Sequence, residues 1–332
     1  MNVKALIRRV NHTLKLHKLF PEHSRILIAC SGGPDSMALL HLLQDIAAHR
    51  HTKYKLGIAI VDHSIRPESK DEVLWLRNQV DALGLSFYTT TFDVPTLSKD
   101  LKLSEETVGR QVRYQWLNEI AHSEGYDYIA VAHHKDDQAE SILAHLIRGT
   151  GLNGLTGMAV VSHDYDIPVI RPLLDVTKAE LLAYLADRKL TYCIDSTNDD
   201  IRYQRNRIRH CIIPELESIN PNVVDAIARL GSSVSEDLAV ISNLTVQAFE
   251  RLVTIDKGEM RLSRRALRKE PLAIQRRLWQ RLVSSIDSDI TLTTAHQEQL
   301  LDIVNTGEGK TFTIKSIKVI AQCDTIKVYC KH

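Results

Sequence analysis

Short apolar runs alternate with amphipathic stretches through about residue 190, and this alternation constrains the fold more than any other feature of the chain. The apolar runs have the composition of buried strands, and the stretches between them carry apolar residues at helical spacing. Strands that alternate with helices form a parallel sheet covered on both faces. The sequence therefore predicts a doubly wound α/β domain with five strands, RILIAC (25–30), LGIAIV (56–61), SFYTTTF (86–92), YIAVA (128–132) and IPVIRPL (167–173).

The pattern changes beyond about residue 220. A long helical stretch runs to about Arg251, and the final segment, residues 311–330, alternates like a terminal strand pair. We predict three parts: an α/β domain over residues 1–214, a helical connector over residues 215–253, and a small, basic α+β domain over residues 254–332.

Basic residues are unevenly distributed, although the formal net charge is only +1. Four arginines and no acid occur between Ile201 and His210, and eight basic residues against one acid occur between Arg261 and Arg281. A solvated helix face explains either run alone, whereas two such runs in the second half of the chain favour a polyanionic partner.

The five cysteines are scattered, and no two of them form a C-x-x-C pair. This distribution fits a reducing compartment and argues against a disulfide framework or a structural zinc site. No apolar run approaches the roughly 18 residues of a membrane span, and the N-terminus lacks the pattern of a secretory signal. We therefore expect a cytoplasmic protein without a membrane partner.

The segment SGGPDS lies between the first predicted strand and the following helix, and its residues suit the binding of an anion. Gly32 and Gly33 let backbone N–H groups approach the anion, and the start of the helix adds unpaired N–H donors. Ser31 and Ser36 add hydroxyl donors. Asp35 would repel phosphate unless a cation lies between them, so we predict that it binds Mg²⁺. The segment lacks the lysine of the common P-loop.

A second polar loop, VDHSIRPES, follows the second predicted strand. Asp62 ends that strand at a position where a nucleoside can lie beside the first loop. His63 and Arg66 could contact phosphate or substrate. The alternative is a polar connection in which the aspartate only caps a turn.

A third loop, AHHKDDQAES, follows the fourth predicted strand and opens a helix. Asp137 and Glu140 are three residues apart, so both acids lie on one face near the helix N-terminus. Complementarity with the helix dipole explains either acid alone. Two acids at the edge of a nucleotide site also indicate a site for a cation, either a metal or an ammonium group.

Five segments together resemble the tRNA(Ile)-lysidine synthetases of the PP-loop ATP pyrophosphatase superfamily: SGGPDS, VDHSIRPES, AHHKDDQAES, RGTGLNGLTGM, and DSTNDD followed by RNRIRH. The resemblance is close over about residues 26–216 and holds only in general layout beyond them. SGGPDS marks the superfamily, and the AHHKDDQAES block is shared in outline with tRNA-thiolating relatives. The RNRIRH block is the most specific to the lysidine enzymes, whose longer members carry a further C-terminal domain.

This resemblance implies ATP-dependent ligation of lysine to C2 of the wobble cytidine in tRNA(Ile) with anticodon CAU, which changes decoding from AUG to AUA. The cytidine is first adenylated with release of pyrophosphate, and lysine then displaces AMP. The implied cofactors are ATP and Mg²⁺, and the implied partners are this tRNA and free lysine. The small basic domain over residues 254–332 is expected to bind the tRNA. A homodimer is left open.

The expected site residues fall into four groups. ATP binding is expected at Ser31, Gly32, Gly33, Pro34, Asp35, Ser36 and Asp62. Catalytic roles are expected for Asp35, Asp137, Glu140 and Arg205. The substrate lysine is expected at Arg113, Asp137 and Glu140, with a phosphate as the alternative ligand of Arg113. Contacts to tRNA are expected from His63, Arg66, Arg202, Arg205, Arg207 and Arg209.

Two other classes of function remain open. One is another PP-loop enzyme, either a tRNA thiolase or an amidating ligase of small molecules. The cysteine pattern disfavours the thiolase, and the basic segments disfavour the small-molecule ligase. The other is a tRNA-binding protein without activity, which the intact SGGPDS loop and the two acids downstream disfavour.

Overall fold

The computed structural model of the protein describes residues 3–49, 53–64, 69–193, 203–256, 258–307 and 309–330. The chain divides into two compact units, Met1–Ser232 and Ser233–His332. The three-part division at residues 214 and 253 rests on the sequence pattern and stays a prediction.

The first unit alternates strands and helices, as the sequence predicts. Its elements are α1 (Val3–Leu16), β1 (Arg25–Ala29), α2 (Pro34–His49), β2 (Lys55–Asp62), α3 (Ser69–Ala82), β3 (Ser86–Thr91), α4 (Val94–Leu101), α5 (Glu105–Ser123), β4 (Tyr128–Ala130), α6 (Lys135–Arg148), α7 (Leu152–Leu155), β5 (Val161–Ser162), β6 (Val169–Ile170), α8 (Lys178–Asp187), α9 (Gln204–Arg207), a π-helix (Ile208–Ile212) and α10 (Ile213–Ile219). The boundary between the units falls within α11 (Val223–Leu252).

These strands form a six-stranded sheet in the order β3-β2-β1-β4-β6-β5. The five predicted strands pair in parallel, which confirms the predicted α/β class. The sixth strand, β5, is a two-residue edge strand antiparallel to β6 and was not predicted.

Apolar side chains from both faces of the sheet hold the first unit together. Ile26 and Ile28 of β1 belong to one buried cluster and Leu27 belongs to another. Because successive side chains of a strand point to opposite faces, the two clusters cover opposite sides of the sheet. Full burial of each such side chain contributes about 1.5–3 kcal/mol to folding.

The central strand β1 determines where the polar loops meet. It lies between β2 and β4 and runs parallel to both. The loops that follow Ala29, Asp62 and Ala130 therefore leave the same edge of the sheet. This is the edge at which ligands bind in open α/β sheets.

The described residues of the second unit form the larger part of α11, a five-stranded antiparallel sheet and three further helices. Its elements are β7 (Val253–Asp256), β8 (Glu259–Ser263), α12 (Arg264–Arg268), α13 (Leu272–Ser284), α14 (Thr294–Thr306), β9 (Thr311–Ile314), β10 (Ile317–Gln322) and β11 (Thr325–Cys330). The strand order is β7-β8-β11-β10-β9. The terminal segment thus forms three strands rather than a pair, because the chain reverses at Lys315, which adopts φ of 45°.

Of the helices in the described part of the chain, none combines the length and the apolar character needed to cross a membrane.

Candidate active site

The loop between β1 and α2 is fixed by its own serines and by a contact from outside. Gly32 has φ of +80°, a left-handed conformation that glycine adopts without strain. The Ser36 hydroxyl donates to the Gly33 carbonyl at 2.9 Å and accepts from the Ser31 N–H at 3.2 Å. The Cys193 N–H donates to the Gly32 carbonyl at 2.9 Å. The loop is therefore preorganised at a helix N-terminus, as an anion-binding turn requires.

Asp35 follows Pro34 at the start of α2 and faces two cations from other elements. The Lys178 ammonium lies 2.7 and 2.6 Å from its two carboxylate oxygens. His134 Nε2 lies 3.7 Å from Oδ2. Burial alone would raise the pKa of Asp35, but the hydrogen bonds and charges of His134 and Lys178 lower it below its ordinary value. Mg²⁺ commonly binds one or two carboxylates together with substrate phosphates, and Asp35 fits that donor set once Lys178 has moved.

His134 lies between three carboxylates and carries a proton. Its Nε2 is 3.4 Å from Oδ2 of Asp137, and its Nδ1 is 3.3 Å from Oδ2 of Asp136. Burial would lower the pKa of His134, but the hydrogen bonds with Asp136 and Asp35 and the charge of Asp137 raise it to about 9. The imidazolium therefore joins the acid of the first loop to the acids of α6.

Because the His134 imidazolium stabilises the fold, we expect the free energy of unfolding to fall at alkaline pH. Because the folded pKa of His134 is about 9, above the ordinary value of about 6.5, its stabilisation is complete below about pH 6.5 and is lost as pH rises through about 9. The shift corresponds to about 3 kcal/mol of unfolding free energy. Denaturant titrations in EDTA at about pH 7 and about pH 9.5 should show most of this loss in the wild type and not in His134→Gln. Equal losses in both proteins would contradict the assignment.

Two buried acids of α6 bind two arginines from the segment that begins with α9. Glu140 is 1% exposed and accepts from Nε of Arg205 at 2.8 Å and from Nε of Arg209 at 2.6 Å. Asp137 accepts from Nη2 of the same arginines at 2.7 and 3.2 Å. Arg205 and Arg209 are four residues apart, so they project from one side of the helical segment. The predicted cation site of Asp137 and Glu140 thus holds guanidinium groups in this structure.

The charge states within this cluster follow from its contacts. Burial alone would raise the pKa of Asp137, but the charges of His134 and Arg205 outweigh it and lower the pKa. His133 lies beside the cluster and accepts at Nδ1 from Nε of Arg171 at 3.3 Å. Burial lowers the pKa of His133 to about 3, against the opposing charge of Asp137. The site therefore contains a neutral imidazole next to an ionised carboxylate.

Arg113 on α5 supplies a positive charge without an anionic partner among the described residues. Its guanidinium carbon lies 5.3 Å from the centre of the Tyr114 ring, and burial lowers its pKa. Burial and the charge of Arg113 also lower the pKa of His63 to about 4. His63 is therefore neutral near pH 7 and could contact phosphate only as a neutral donor.

The remaining predicted residues do not belong to the cluster of buried acids and arginines. Asp62 is buried, and its Oδ1 accepts from the Ser64 N–H at 2.8 Å, so its carboxylate holds the turn after β2. Arg207 is exposed and lines an apolar groove beside Ile208, away from the buried acids. Arg66 and Arg202 lie outside the described residues.

Several polar residues of the site were not predicted, among them Lys178, His134 and Gln138. The Gln138 side chain donates to the Thr156 carbonyl at 3.1 Å and accepts from the Met158 N–H at 2.7 Å. It thereby fixes the glycine-rich loop after α6. Its position between the two acids on the same helix was the signal in the sequence that could have identified it.

The chain matches known proteins over most of its length. Residues 4–216 match the family model of the PP-loop domain. A tRNA(Ile)-lysidine synthase from Thermosipho africanus is 39% identical over 247 residues, which are 74% of this chain and 56% of that relative. A tRNA(Ile)-lysidine synthase from Nostoc sp. is 33% identical over 294 residues, covering 84% of this chain and 83% of that relative.

This chain belongs to the tRNA(Ile)-lysidine synthase family. The resemblance seen in the sequence motifs is thereby confirmed. The matched part of this chain covers only part of the length of some relatives. It corresponds to 56% of the Thermosipho africanus synthase and to 52% of a tRNA(Ile)-lysidine synthase from Porphyromonas gingivalis.

One solved structure of a different protein shares the fold of this chain. The U34-tRNA thiolase NcsA from Methanococcus maripaludis superposes with a TM-score of 0.59 at 21% identity, over 70% of this chain and 78% of that one. At this identity the similarity concerns the fold alone, and it supports the α/β assignment of the first unit.

Proposed function

We propose that this chain ligates lysine to C2 of the wobble cytidine of tRNA(Ile) with anticodon CAU, at the expense of ATP. Its family membership supports this function. The main chemical support for the proposal is a pair of buried carboxylates, Asp137 and Glu140. They lie at the sheet edge that also bears the SGGPDS loop. A nucleotide loop beside such acids suits an activation step followed by attack of an amine.

In the first step, the C2 oxygen of the cytidine attacks the α-phosphorus of ATP. The new O–P bond forms as the bond between the α-phosphorus and pyrophosphate breaks. The SGGPDS loop offers N–H and hydroxyl donors to the departing pyrophosphate, and Asp62 is proposed to contact the nucleoside. Asp35 is the residue that would hold Mg²⁺, whose charge would stabilise the pyrophosphate.

In the second step, the ε-amine of lysine attacks C2, the bond from C2 to the AMP oxygen breaks, and the amine loses a proton. A lysine ammonium with a pKa of about 10.4 is only about 0.04% neutral at pH 7, which corresponds to about 4.6 kcal/mol. The amine therefore requires a proton acceptor. We assign Asp137 and Glu140 to bind the ammonium, and one of them to accept the proton. Arg113 is assigned to the lysine carboxylate, with a phosphate as the alternative.

The ion pairs of Asp137 and Glu140 imply that the substrate lysine competes with two arginines for these carboxylates. Arg205 and Arg209 must release at least part of Asp137 and Glu140 before an ammonium can bind there. A phosphate of the tRNA is a suitable alternative partner for a guanidinium. We therefore propose that bound tRNA draws these arginines away and favours lysine binding. Arg207, His63, Arg66 and Arg202 are proposed further tRNA contacts.

Arg209→Gln is expected to tighten the binding of free lysine by about tenfold in the absence of tRNA, because Glu140 loses a competing charge-assisted donor. Isothermal titration calorimetry with lysine measures the effect. Arg207→Gln, on the same segment but away from the acids, is the matched control and should bind lysine like the wild type. Weaker lysine binding by Arg209→Gln would contradict the competition.

The second candidate is a PP-loop tRNA thiolase or another PP-loop ligase, because residues 4–216 match the model of the PP-loop domain and the archaeal thiolase shares the fold of this chain. The two candidates differ in product, since a thiolase places sulfur on the base and this proposal places lysine there. The cytoplasmic location and the possible homodimer stay predictions.

The proposal is tested by incubating the protein with ATP, Mg²⁺, labelled lysine and a tRNA(Ile) transcript with anticodon CAU. Retention of label on the RNA, dependent on ATP, is the expected result. A transcript with uridine in place of the wobble cytidine is the control and should retain no label. A folded protein that binds ATP but attaches no lysine to an active transcript would refute the function.

A further inference from the structure

The SGGPDS loop, here called the phosphate loop, contains no lysine, but the fold places a lysine beside it. Lys178 begins α8 and lies 143 residues beyond Asp35 in the chain. Its Nζ nevertheless donates to both carboxylate oxygens of Asp35, at 2.7 and 2.6 Å. In the common P-loop, the lysine within the loop reaches the β- and γ-phosphates.

The backbone of Lys178 is fixed from two sides. Its N–H donates to Oδ2 of Asp136 at 2.9 Å, which ties it to the first turn of α6. Thr177 caps α8, and its own N–H donates to Oε2 of Glu180 at 3.0 Å. The side chains of Lys178 and Asp35 remain 36% and 28% exposed. A fixed backbone thus presents a flexible ammonium at an accessible edge of the loop.

A purely structural role explains this ion pair less well. Partly exposed ion pairs contribute little to stability. The helices α2 and α8 are already joined by apolar packing that includes Leu39, Leu181 and Leu185. The Tyr184 hydroxyl also donates to Oδ2 of Asp45 at 3.0 Å. The pair of Lys178 with Asp35 is therefore not needed to hold the helices together.

We propose that Lys178 is a pyrophosphate-binding residue, paired with Asp35 in the free protein and transferred to the β- and γ-phosphate oxygens when ATP binds. A metal cation on Asp35 would repel the ammonium, and the nearest new anion would be the phosphate chain. The flexible four-carbon stem of lysine permits this change while the backbone stays in place. The inference rests on the proposed use of ATP and not on the chemistry at the tRNA.

The test compares the wild type with Lys178→Ala by titration calorimetry in the presence of Mg²⁺. ATP and inorganic pyrophosphate should each bind about 10- to 100-fold more weakly to the variant, the range expected for loss of a charge-assisted hydrogen bond. AMP, which lacks the β- and γ-phosphates, should bind equally to both proteins. Lys178→Arg should recover most of the lost affinity.

Lys135→Ala is the matched control. Lys135 also begins a helix and pairs with a carboxylate, that of Asp225 at 2.6 Å, but this pair does not include the phosphate loop. The control should bind ATP, pyrophosphate and AMP like the wild type.

The possible outcomes separate this inference from the proposed function. Unchanged or tighter binding of ATP and pyrophosphate by Lys178→Ala would overturn it and leave Lys178 a counter-ion of Asp35. Equal weakening of ATP and AMP would also overturn it, because the loop as a whole would then be distorted. A wild type that binds no ATP would refute both proposals. Suppose that Lys178→Ala binds ATP and pyrophosphate more weakly, binds AMP normally, and the wild type attaches no lysine to tRNA. That result would support the phosphate-binding role of Lys178 and refute the proposed lysine transfer.

Discussion

Asp137→Asn is expected to stop the transfer of lysine and to leave adenylation of the tRNA intact. The variant lacks a charged group that can bind the ammonium or accept its proton, and loss of a general base reduces rates by about 10²- to 10⁴-fold. Asparagine keeps a side-chain oxygen that can accept from the His134 N–H at the start of α6, as Asp137 does at 3.0 Å. The helix start should therefore be preserved.

Two labels separate the steps. Label from the α-phosphate of ATP should accumulate on the tRNA with Asp137→Asn, whereas label from lysine should not. Glu119→Gln is the control, because Glu119 accepts from the Gln115 side chain at 3.1 Å, outside the acid cluster, and its replacement should leave both steps unchanged. An Asp137→Asn enzyme with wild-type dependence on lysine concentration would show that the role assigned to Asp137 is wrong.

Asp35→Ala is expected to abolish the release of AMP and pyrophosphate from ATP. The variant loses the carboxylate that fits a metal at the phosphate loop, and it leaves the Lys178 ammonium without its present partner. Loss of one preorganised electrostatic contact to a developing charge costs about 10²- to 10³-fold in rate. Pyrophosphate release in the presence of tRNA and lysine measures the effect.

Asp45→Asn provides a comparison on the same helix. Asp45 accepts from the Tyr184 hydroxyl at 3.0 Å and is not part of the phosphate loop, so its replacement should leave pyrophosphate release unchanged. If Asp35→Ala released pyrophosphate at the wild-type rate, Asp35 would have no role in the reaction.

The fold was predictable where local patterns determine it. Runs such as residues 26–30 and 56–61 are apolar throughout because both faces of a central parallel strand are buried, and this property can be read from sequence. The strand β5 was missed because two residues carry no periodicity. The sequence predicts a pair of terminal strands rather than three because Lys315 carries no turn signal, although it adopts a left-handed conformation.

The candidate site was only partly predictable, for a physical reason. The SGGPDS loop and the acids Asp137 and Glu140 have local signatures, because a helix start and a three-residue spacing are local properties. Ion pairs between distant segments have none. Arg205 lies 65 residues beyond Glu140, and the sequence identifies it within the basic RNRIRH block but not its partner. Neither its pairing with the acid nor that of Lys178 with Asp35 follows from any spacing.

The proposed reaction attaches lysine to C2 of the wobble cytidine. The most direct measurement is mass spectrometry of nucleosides from tRNA(Ile) that has been treated with the protein, ATP, Mg²⁺ and lysine and then digested. We expect one cytidine per tRNA to be heavier by the mass of lysine less one water, at the wobble position and only when ATP and lysine are both present. An unmodified wobble cytidine, or one that carries sulfur instead, would contradict it.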